Sequence, residues 1–290
     1  MRVLLLTVAA LIGFAANSLL TRSALAGLHI DAATFTAVRL GAGAVMLWLL
    51  VFARGRRDGV RQPGGDSWAS AFALAGYAVA FTLAYRRIGA GIGALALFGA
   101  VQITMIGRGV IDGERPSVRD RIGWLLAVAG LGALTLPGAS APDRAGVALM
   151  LIAGACWGVY SLRGRAVGDP LRSTAGNFLR ASLAGVLFVA VSPLPRVVSA
   201  PGLWLAIASG ALASGVGYAL WYAALPSLTA WRAAVVQLSV PILTAGSAVV
   251  LLGESLTTRL VGAAVLVASG VLLTVWPRHR VIGSSDHRAI

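Results

Sequence analysis

Lysine is absent from this chain of 290 residues, and all 24 of its basic residues are arginine. Acids number only 10, histidines 3 and cysteines 1, and charged residues make up 12% of the whole. A soluble domain usually carries about 25% charged residues. Each scarcity closes a class. The single Cys156 excludes an intramolecular disulfide and reads as a small packed residue. The histidines, His29, His279 and His287, fall in a loop and a tail, and no acid occupies the middle of an apolar run. The nucleophile with a base, paired carboxylates or metal cluster that an enzyme needs is therefore missing. No catalytic residue, metal or cofactor is expected. The chain also lacks long polar connections, the longest being the 13 residues from Arg54 to Asp66, so no soluble domain is inserted.

What is present is apolar: 58% of the residues. A helix needs roughly 20 mainly apolar residues to cross about 30 Å of hydrocarbon at about 1.5 Å per residue. That pattern recurs at 3–20, 32–53, 67–85, 89–110, 122–137, 145–162, 173–192, 202–224, 229–252 and 260–276. These ten spans predict an all-α integral membrane protein whose main partner is the lipid bilayer. The formal charge of +14 could suggest phosphate binding. Its placement in short loops between apolar spans instead sets membrane orientation, and no nucleic-acid partner is expected. With the N-terminus inside, 14 arginines fall on the cytoplasmic side, 6 outside and 4 within spans. The expected location is the cytoplasmic (inner) membrane, with both termini cytoplasmic.

The opening Met1-Arg2 and the apolar run to Ala16 imitate a signal peptide. An internal repeat argues that this segment stays in the folded unit. Ser18 and Arg22 align with Ser161 and Arg165 at an offset of 143, Arg39 with Arg180 at 141, and Tyr85 with Tyr222 at 137. Thr104, Gly113-Glu114 and Gly123 align with Thr244, Gly253-Glu254 and Gly262 at 140. The expected units are residues 1–141 and 142–277, each of five spans, followed by a cytoplasmic tail, 278–290. Five is odd, so the second copy enters the membrane from the opposite side. Inverted repeats of this kind characterise secondary transporters, in which one half rocks against the other.

The run LWYAALPSLTAWRAAVVQLSVPILTAGSAVVLLGE (220–254), followed by VGAAVLVASGVLL (261–273), resembles the C-terminal repeat of the EamA family in the drug/metabolite transporter superfamily. The second-span arginines, Arg39 and Arg180, and the repeat-closing acids Glu114 and Glu254 fit the same resemblance. It implies a ten-helix fold with the fifth and tenth helices peripheral and a central cavity lined by helices 1, 3, 4, 6, 8 and 9. It also implies small-molecule cargo, since members of that family move amino acids, sugars, nucleotide-type metabolites and drugs. Pro241 of the ninth span has Val101 at the equivalent place, so the proline hinge is confined to one half.

Candidate site residues follow from chemistry at depth. Asn17, Ser18, Gln102, Thr104, Gln237 and Ser239 are polar groups inside spans, and such groups must find partners or water. Trp157 with Tyr160, and Tyr218 with Trp221 and Tyr222, fall at helical spacings of three and four. Of the aromatics, Trp157, Tyr160, Tyr218 and Tyr77 lie deep enough to line a cavity. Trp221, Tyr222, Trp231 and Trp276 lie near span ends, where an interfacial belt is expected. Pro241 leaves the Gln237 carbonyl without its helical donor, a broken-helix feature of transporter sites.

Four arginines sit within spans, where a charge is costly and by default functional. Arg39 and Arg180 each lie roughly 10–12 Å inside their helix starts by helical rise, toward opposite faces, as structural, gating or substrate-binding groups. Arg108 and Arg232 approach the cytoplasmic side, where they would attract an anionic solute or snorkel, Arg108 beside Asp112 or Glu114. The related small multidrug-resistance proteins couple efflux to protons through a first-helix carboxylate; here that helix offers Asn17 and Ser18. Coupling through interfacial acids and facilitated diffusion both stay open, with protons as a candidate partner. Gly91-Ile92-Gly93-Ala94-Leu95-Ala96 mimics a nucleotide-binding loop but lies within a span, and with Gly154 and Gly158 it reads as close helix packing. The reading that combines these features is a secondary transporter of a small metabolite, amino-acid-like or a similar small organic solute, or of a drug, by alternating access, with export as the direction the family resemblance implies; the alternative is a structural or signalling membrane subunit.

Overall fold

A computed structural model of the chain describes residues 1–55, 67–113, 115–135, 143–165, 167–193, 195–252 and 258–275. Glu114, Glu254, Trp276 and the tail 278–290 lie outside the described residues. The helices are α1 (Arg2–Ala26), α2 (Ala32–Ala53), α3 (Trp68–Tyr85), α4 (Ala90–Ile111), α5 (Val118–Thr135) and α6 (Arg144–Gly164). They continue with α7 (Pro170–Val191), α8 (Ala200–Ala208), a π-helical stretch (Ser209–Val216), α9 (Gly217–Ala224), α10 (Ala230–Gln237), α11 (Ser239–Leu252) and α12 (Thr258–Val275). Among the described residues the one β feature is an antiparallel bridge between Ile30 and Val198.

Apolar length fixes where the helices run, and short polar side chains fix where they start. Asp31, Ser67, Asp143, Asp169, Ser199 and Thr229 each accept a hydrogen bond from a first-turn N–H of the helix that follows. The first helix runs to Ala26, beyond the expected end at residue 20. Its polar last turns are satisfied within the fold: Thr21 donates to the Asn17 carbonyl at 2.7 Å, and Arg22 donates to the Tyr85 carbonyl at 2.9 Å.

Among the described residues, eight helical stretches are long and apolar enough to cross a bilayer: α1 to α4, α6, α7, Ala200–Ser227 and Ala230–Leu251. The last is broken at Leu238, between α10 and α11. The 18-residue helices α5 and α12 fall outside that set, and the first turn of α5 carries Asp120. They pack on each other and meet the rest through α4, α10 and α11.

Large apolar side chains face outward, such as Val45, Leu49 and Phe52 of α2 and Leu183, Val186 and Leu187 of α7. Alanine, glycine and aromatic residues fill the contacts between helices. Lipid tails are as apolar as leucine, so close backbone approach and hydrogen bonds hold such helices together. Gly154 lies against the Leu97 carbonyl and Gly158 against Thr104, and the pair lets α6 approach α4.

The packing has a two-sided regularity. Helix α3 lies on α6 and α7, while the stretch from α8 to α9 lies on α1 and α2; α4 lies on α6, and α11 on α1. At one face, here the Arg54 face, the ends of α2, α6 and α9 meet the starts of α3 and α7. Arg54 pairs with Asp169 at 3.2 Å, Arg163 donates to Ser70 and Ser67, and Arg165 donates to the Leu228 carbonyl at 3.2 Å. At the opposite face, the His29 face, the α1–α2 turn is fastened to the segment before α8. The Asp31 N–H donates to Val197, the Ser199 N–H donates to His29, and the Val197 N–H donates back to the Asp31 carboxylate.

Candidate functional site

Between α1, α2, α3 and the π-helical stretch lies a continuous chain of buried polar groups. Ser209 Oγ donates to Asn17 Oδ1 at 2.6 Å, and Asn17 Nδ2 donates to the Tyr77 hydroxyl at 3.2 Å. Arg39 Nη2 donates to the same hydroxyl at 3.2 Å, and Arg39 Nε donates to Ser214 Oγ at 3.3 Å. Arg39 is 1% exposed, and its guanidinium carbon stands 5.2 Å from the Tyr77 ring centroid and 5.1 Å from that of Phe81. Such ring faces attract a desolvated cation.

The backbone explains why these groups meet. Each turn of a π-helix carries an extra residue, and such segments mark functional sites more often than chance. Here the turn carries Ser209 toward α1 and Ser214 toward α2. Gly210 makes this possible, because a Cβ there would collide with the Arg39 carbonyl.

Beside the chain lies a cavity of about 10 Å³, lined by Phe14, Ser18, Tyr77, Phe81, Leu97, Phe98, Trp157 and Tyr218. Its walls come from α1, α3, α4, α6 and α9. The rings interlock: Trp157 and Tyr218 centroids are 4.7 Å apart, Phe14 and Trp157 5.3 Å, and Tyr77 and Trp157 5.5 Å. The volume admits about one water, so the rings must part to admit a solute. Toward the Arg54 face, Tyr160 and Tyr222 stack edge to face at 5.6 Å and border a second narrow cavity with Ser70 and Asn177. Beyond it a groove of about 690 Å³ opens, with Arg108, Asp112, Arg163 and Arg165 on its walls.

The residues expected at the site divide into groups. Ser18, Tyr77, Trp157 and Tyr218 line the cavity, Asn17 and Arg39 are joined to it through the Tyr77 hydroxyl, and Tyr160 forms the next layer. Gln237 adjoins them by accepting from Trp157 Nε1 at 2.8 Å, and its amide nitrogen donates to the Ala233 carbonyl at 3.0 Å. Gln102 ties α4 to α10 by donating to the Ala234 carbonyl at 2.5 Å. Thr104 and Ser239 turn their hydroxyls onto carbonyls of Ala100 and Val236. Pro241 is buried in the first turn of α11, three residues past the break at Leu238.

The remaining intramembrane arginines stand apart from the cavity. Arg108 pairs with Asp112 at 2.7 Å, both half exposed. Arg180 is half-buried over the Trp68 ring at 5.8 Å, and Arg232 is exposed. Glu114 and Glu254 fall outside the described residues.

Two observations were missed from sequence. Ser209 and Ser214 sit in the small-residue run SGALASG, whose only signal is two hydroxyls five residues apart within a span. Trp221, Tyr222 and Trp231, expected in an interfacial belt, are 0%, 2% and 8% exposed. Trp221 packs on Phe14 at 5.7 Å and Trp231 on Trp124 at 6.1 Å, so inter-helix contacts hold these rings inside.

Comparison with known proteins accords with this architecture. Residues 144–276 match the EamA-like transporter family. An uncharacterized protein of Pseudomonas aeruginosa is 52% identical over 278 residues, 96% of each chain. The threonine/homoserine exporter RhtA of Salmonella typhimurium is 30% identical over 246 residues, covering 79% of this chain and 76% of that one. A solved crystal structure shares the fold with a TM-score of 0.71 and 23% identity, covering 92% of this chain and 98% of the other.

Proposed function

Because the chain belongs to the EamA-like transporter family, we propose that it exports a small amino-acid-like solute across the cytoplasmic membrane by alternating access around the cavity beside Arg39. The observation that carries this reading is the buried chain Ser209–Asn17–Tyr77–Arg39–Ser214, which joins α1, α2 and α3 to the π-helical stretch at a ring-lined cavity. Such a site, at the junction of two halves of the chain, suits a mechanism in which the halves rock past one another. The relative named as a threonine/homoserine exporter supports both the amino-acid class and the outward direction.

Further features support a duplicated, inverted architecture of ten crossings, with α5 and α12 as the peripheral fifth and tenth. Arg22 and Arg165, aligned in the two halves, each donate to a backbone carbonyl 63 residues downstream. The exchange of packing partners between α3 and the stretch from α8 to α9 follows the same two-fold relation. In this reading the Arg54 face is cytoplasmic, on the excess of arginines there, and the His29 face is external. The hydrogen bonds between His29, Asp31, Val197 and Ser199 then close the external side, and export requires them to part.

The test is flux. Purified protein in liposomes is challenged with labelled amino acids, sugars, nucleotides and cationic drugs, with and without a pH gradient. Saturable movement of an amino acid is the expected result, and its response to the gradient decides whether protons are coupled. Saturable flux of none of these solutes would return the chain to the alternative of a structural or signalling subunit.

A further inference from the structure

We infer that Arg39, with the hydroxyls of Tyr218 and Tyr77, is the docking point for a carboxylate on the transported solute. This rests on the transporter reading and specifies the chemistry of its site. A guanidinium has five N–H donors. Nε is taken by Ser214 and one Nη2 hydrogen by Tyr77, while Nη1 is fully buried and has no hydrogen-bond partner. The buried Tyr218 hydroxyl faces both this guanidinium and the Tyr77 hydroxyl. The Tyr77 oxygen already accepts from both Asn17 and Arg39, so its own proton points elsewhere. Among the described residues, the groups around this guanidinium are neutral hydroxyls, those of Ser214, Tyr77 and Tyr218, and none brings a negative charge.

The arginines that hold helices together look different. Arg22 and Arg165 reach backbone carbonyls at helix ends, and Arg54, Arg87 and Arg108 pair with Asp169, Asp143 and Asp112 near the faces. Arg39 alone among these is held deep by two hydroxyls, which share no negative charge with it. All five described acids, Asp31, Asp112, Asp120, Asp143 and Asp169, sit at or beside helix ends. A buried cation without a counter-charge is costly to maintain, and a ligand that brings the charge removes the cost. A planar monoanion matches this arrangement: one guanidinium edge and a neighbouring phenol satisfy the two oxygens of a carboxylate. A phosphate dianion would bring two negative charges against one positive charge in a narrow, ring-lined space.

The experiment measures binding, separately from flux. Purified protein in lipid nanodiscs is titrated with a panel of L-amino acids, each paired with its uncharged amide, and with acetate as the bare carboxylate. The expected result is that at least one acid binds about tenfold or more tightly than its amide, in keeping with a charge-assisted hydrogen bond in a desolvated site. Tyr218→Phe, which keeps the ring, should shrink that preference, and Arg39→Gln should abolish it. If Arg39→Gln does not fold, Arg39→Lys, which keeps the charge and loses the fork, should retain a reduced preference.

Amides binding as tightly as acids, an acid preference that survives Arg39→Gln, or no carboxylate binding at all would each overturn the assignment. Saturable flux of a sugar or a drug with no carboxylate would leave the transporter reading standing and remove this site. Arg39-dependent carboxylate binding without flux would do the reverse.

Discussion

Arg39 and Arg180 occupy aligned places in the two halves of the sequence, yet their surroundings differ. Arg39 is sealed among α2, α3 and the π-helical stretch, hydrogen-bonded to Tyr77 and Ser214, with its guanidinium close to the rings of Tyr77 and Phe81. Arg180 is half-buried near the start of α3, over the ring of Trp68. Sequence alignment puts both at similar depth, but only the packing decides which one faces the interior. The neighbours explain the outcome: α3 offers Arg39 a tyrosine hydroxyl and the π turn offers it a serine, whereas Arg180 meets a tryptophan at the edge. Aligned positions in the two halves of the sequence thus hold the same residue in unlike surroundings.

Substitutions at the two arginines should separate these settings most strongly. Replacing Arg39 by Gln should cut amino-acid flux by about 100-fold, the scale of removing one partner of a buried, hydrogen-bonded charge. Replacing Arg180 by Gln should change flux by no more than about twofold, because it lies over Trp68 and away from the cavity. Flux in proteoliposomes at matched protein density reads both.

Next is the hydroxyl that joins Arg39 to Asn17. Tyr77→Phe keeps the ring under the guanidinium and deletes the acceptor of two hydrogen bonds, so flux should fall about tenfold, the consequence of about 1–3 kcal/mol for buried donors left unmet. Ser214→Ala removes a single acceptor and should cost less, about threefold to fivefold.

Gly210→Ala tests the close approach that brings the π stretch against α2. The added Cβ meets the Arg39 carbonyl, and strain of about 1–3 kcal/mol should lower the thermal midpoint in detergent. Gly246→Ala, where nothing lies within 4 Å, should leave it unchanged. The smallest effect belongs to Asp169→Asn. This substitution keeps a capping oxygen while removing the half-exposed pair with Arg54, and should cost about 1 kcal/mol or less in the same melting experiment.

Much of the architecture could be read from the sequence because bilayer thickness imposes a length on every crossing. The expected second span, 32–53, coincides with α2, and the third and fourth agree with α3 and α4 to within one residue at either end. Depth was readable in the same way, which is how Asn17, Tyr77 and Trp157 could be singled out. Which way a side chain points was not. In a membrane helix the lipid-facing and inward-facing sides are both apolar, so periodicity carries little information about direction. Thr104 could not be distinguished from Ser18 on that basis: both hydroxyls turn to carbonyls of their own helices, yet Thr104 lies against Gly158 and Ser18 lines the cavity. Ser209 and Ser214 were hidden for a second reason: at ordinary α-helical spacing, residues five apart do not share a face, and the π turn changes that spacing. Trp221 and Tyr222 were placed by distance from a span end, but Phe14 and Tyr160 provide partners that hold them inside.

Counterflow tests most directly whether Arg39 is the charge that receives solute. Liposomes loaded with an unlabelled amino acid that the wild-type protein carries are diluted into a trace of the same labelled compound, for the wild type, Arg39→Gln and Arg180→Gln. Transient accumulation of label in the wild type and Arg180→Gln, and none in Arg39→Gln, is the predicted result. Accumulation that persists in Arg39→Gln, or is lost in Arg180→Gln alone, would contradict it.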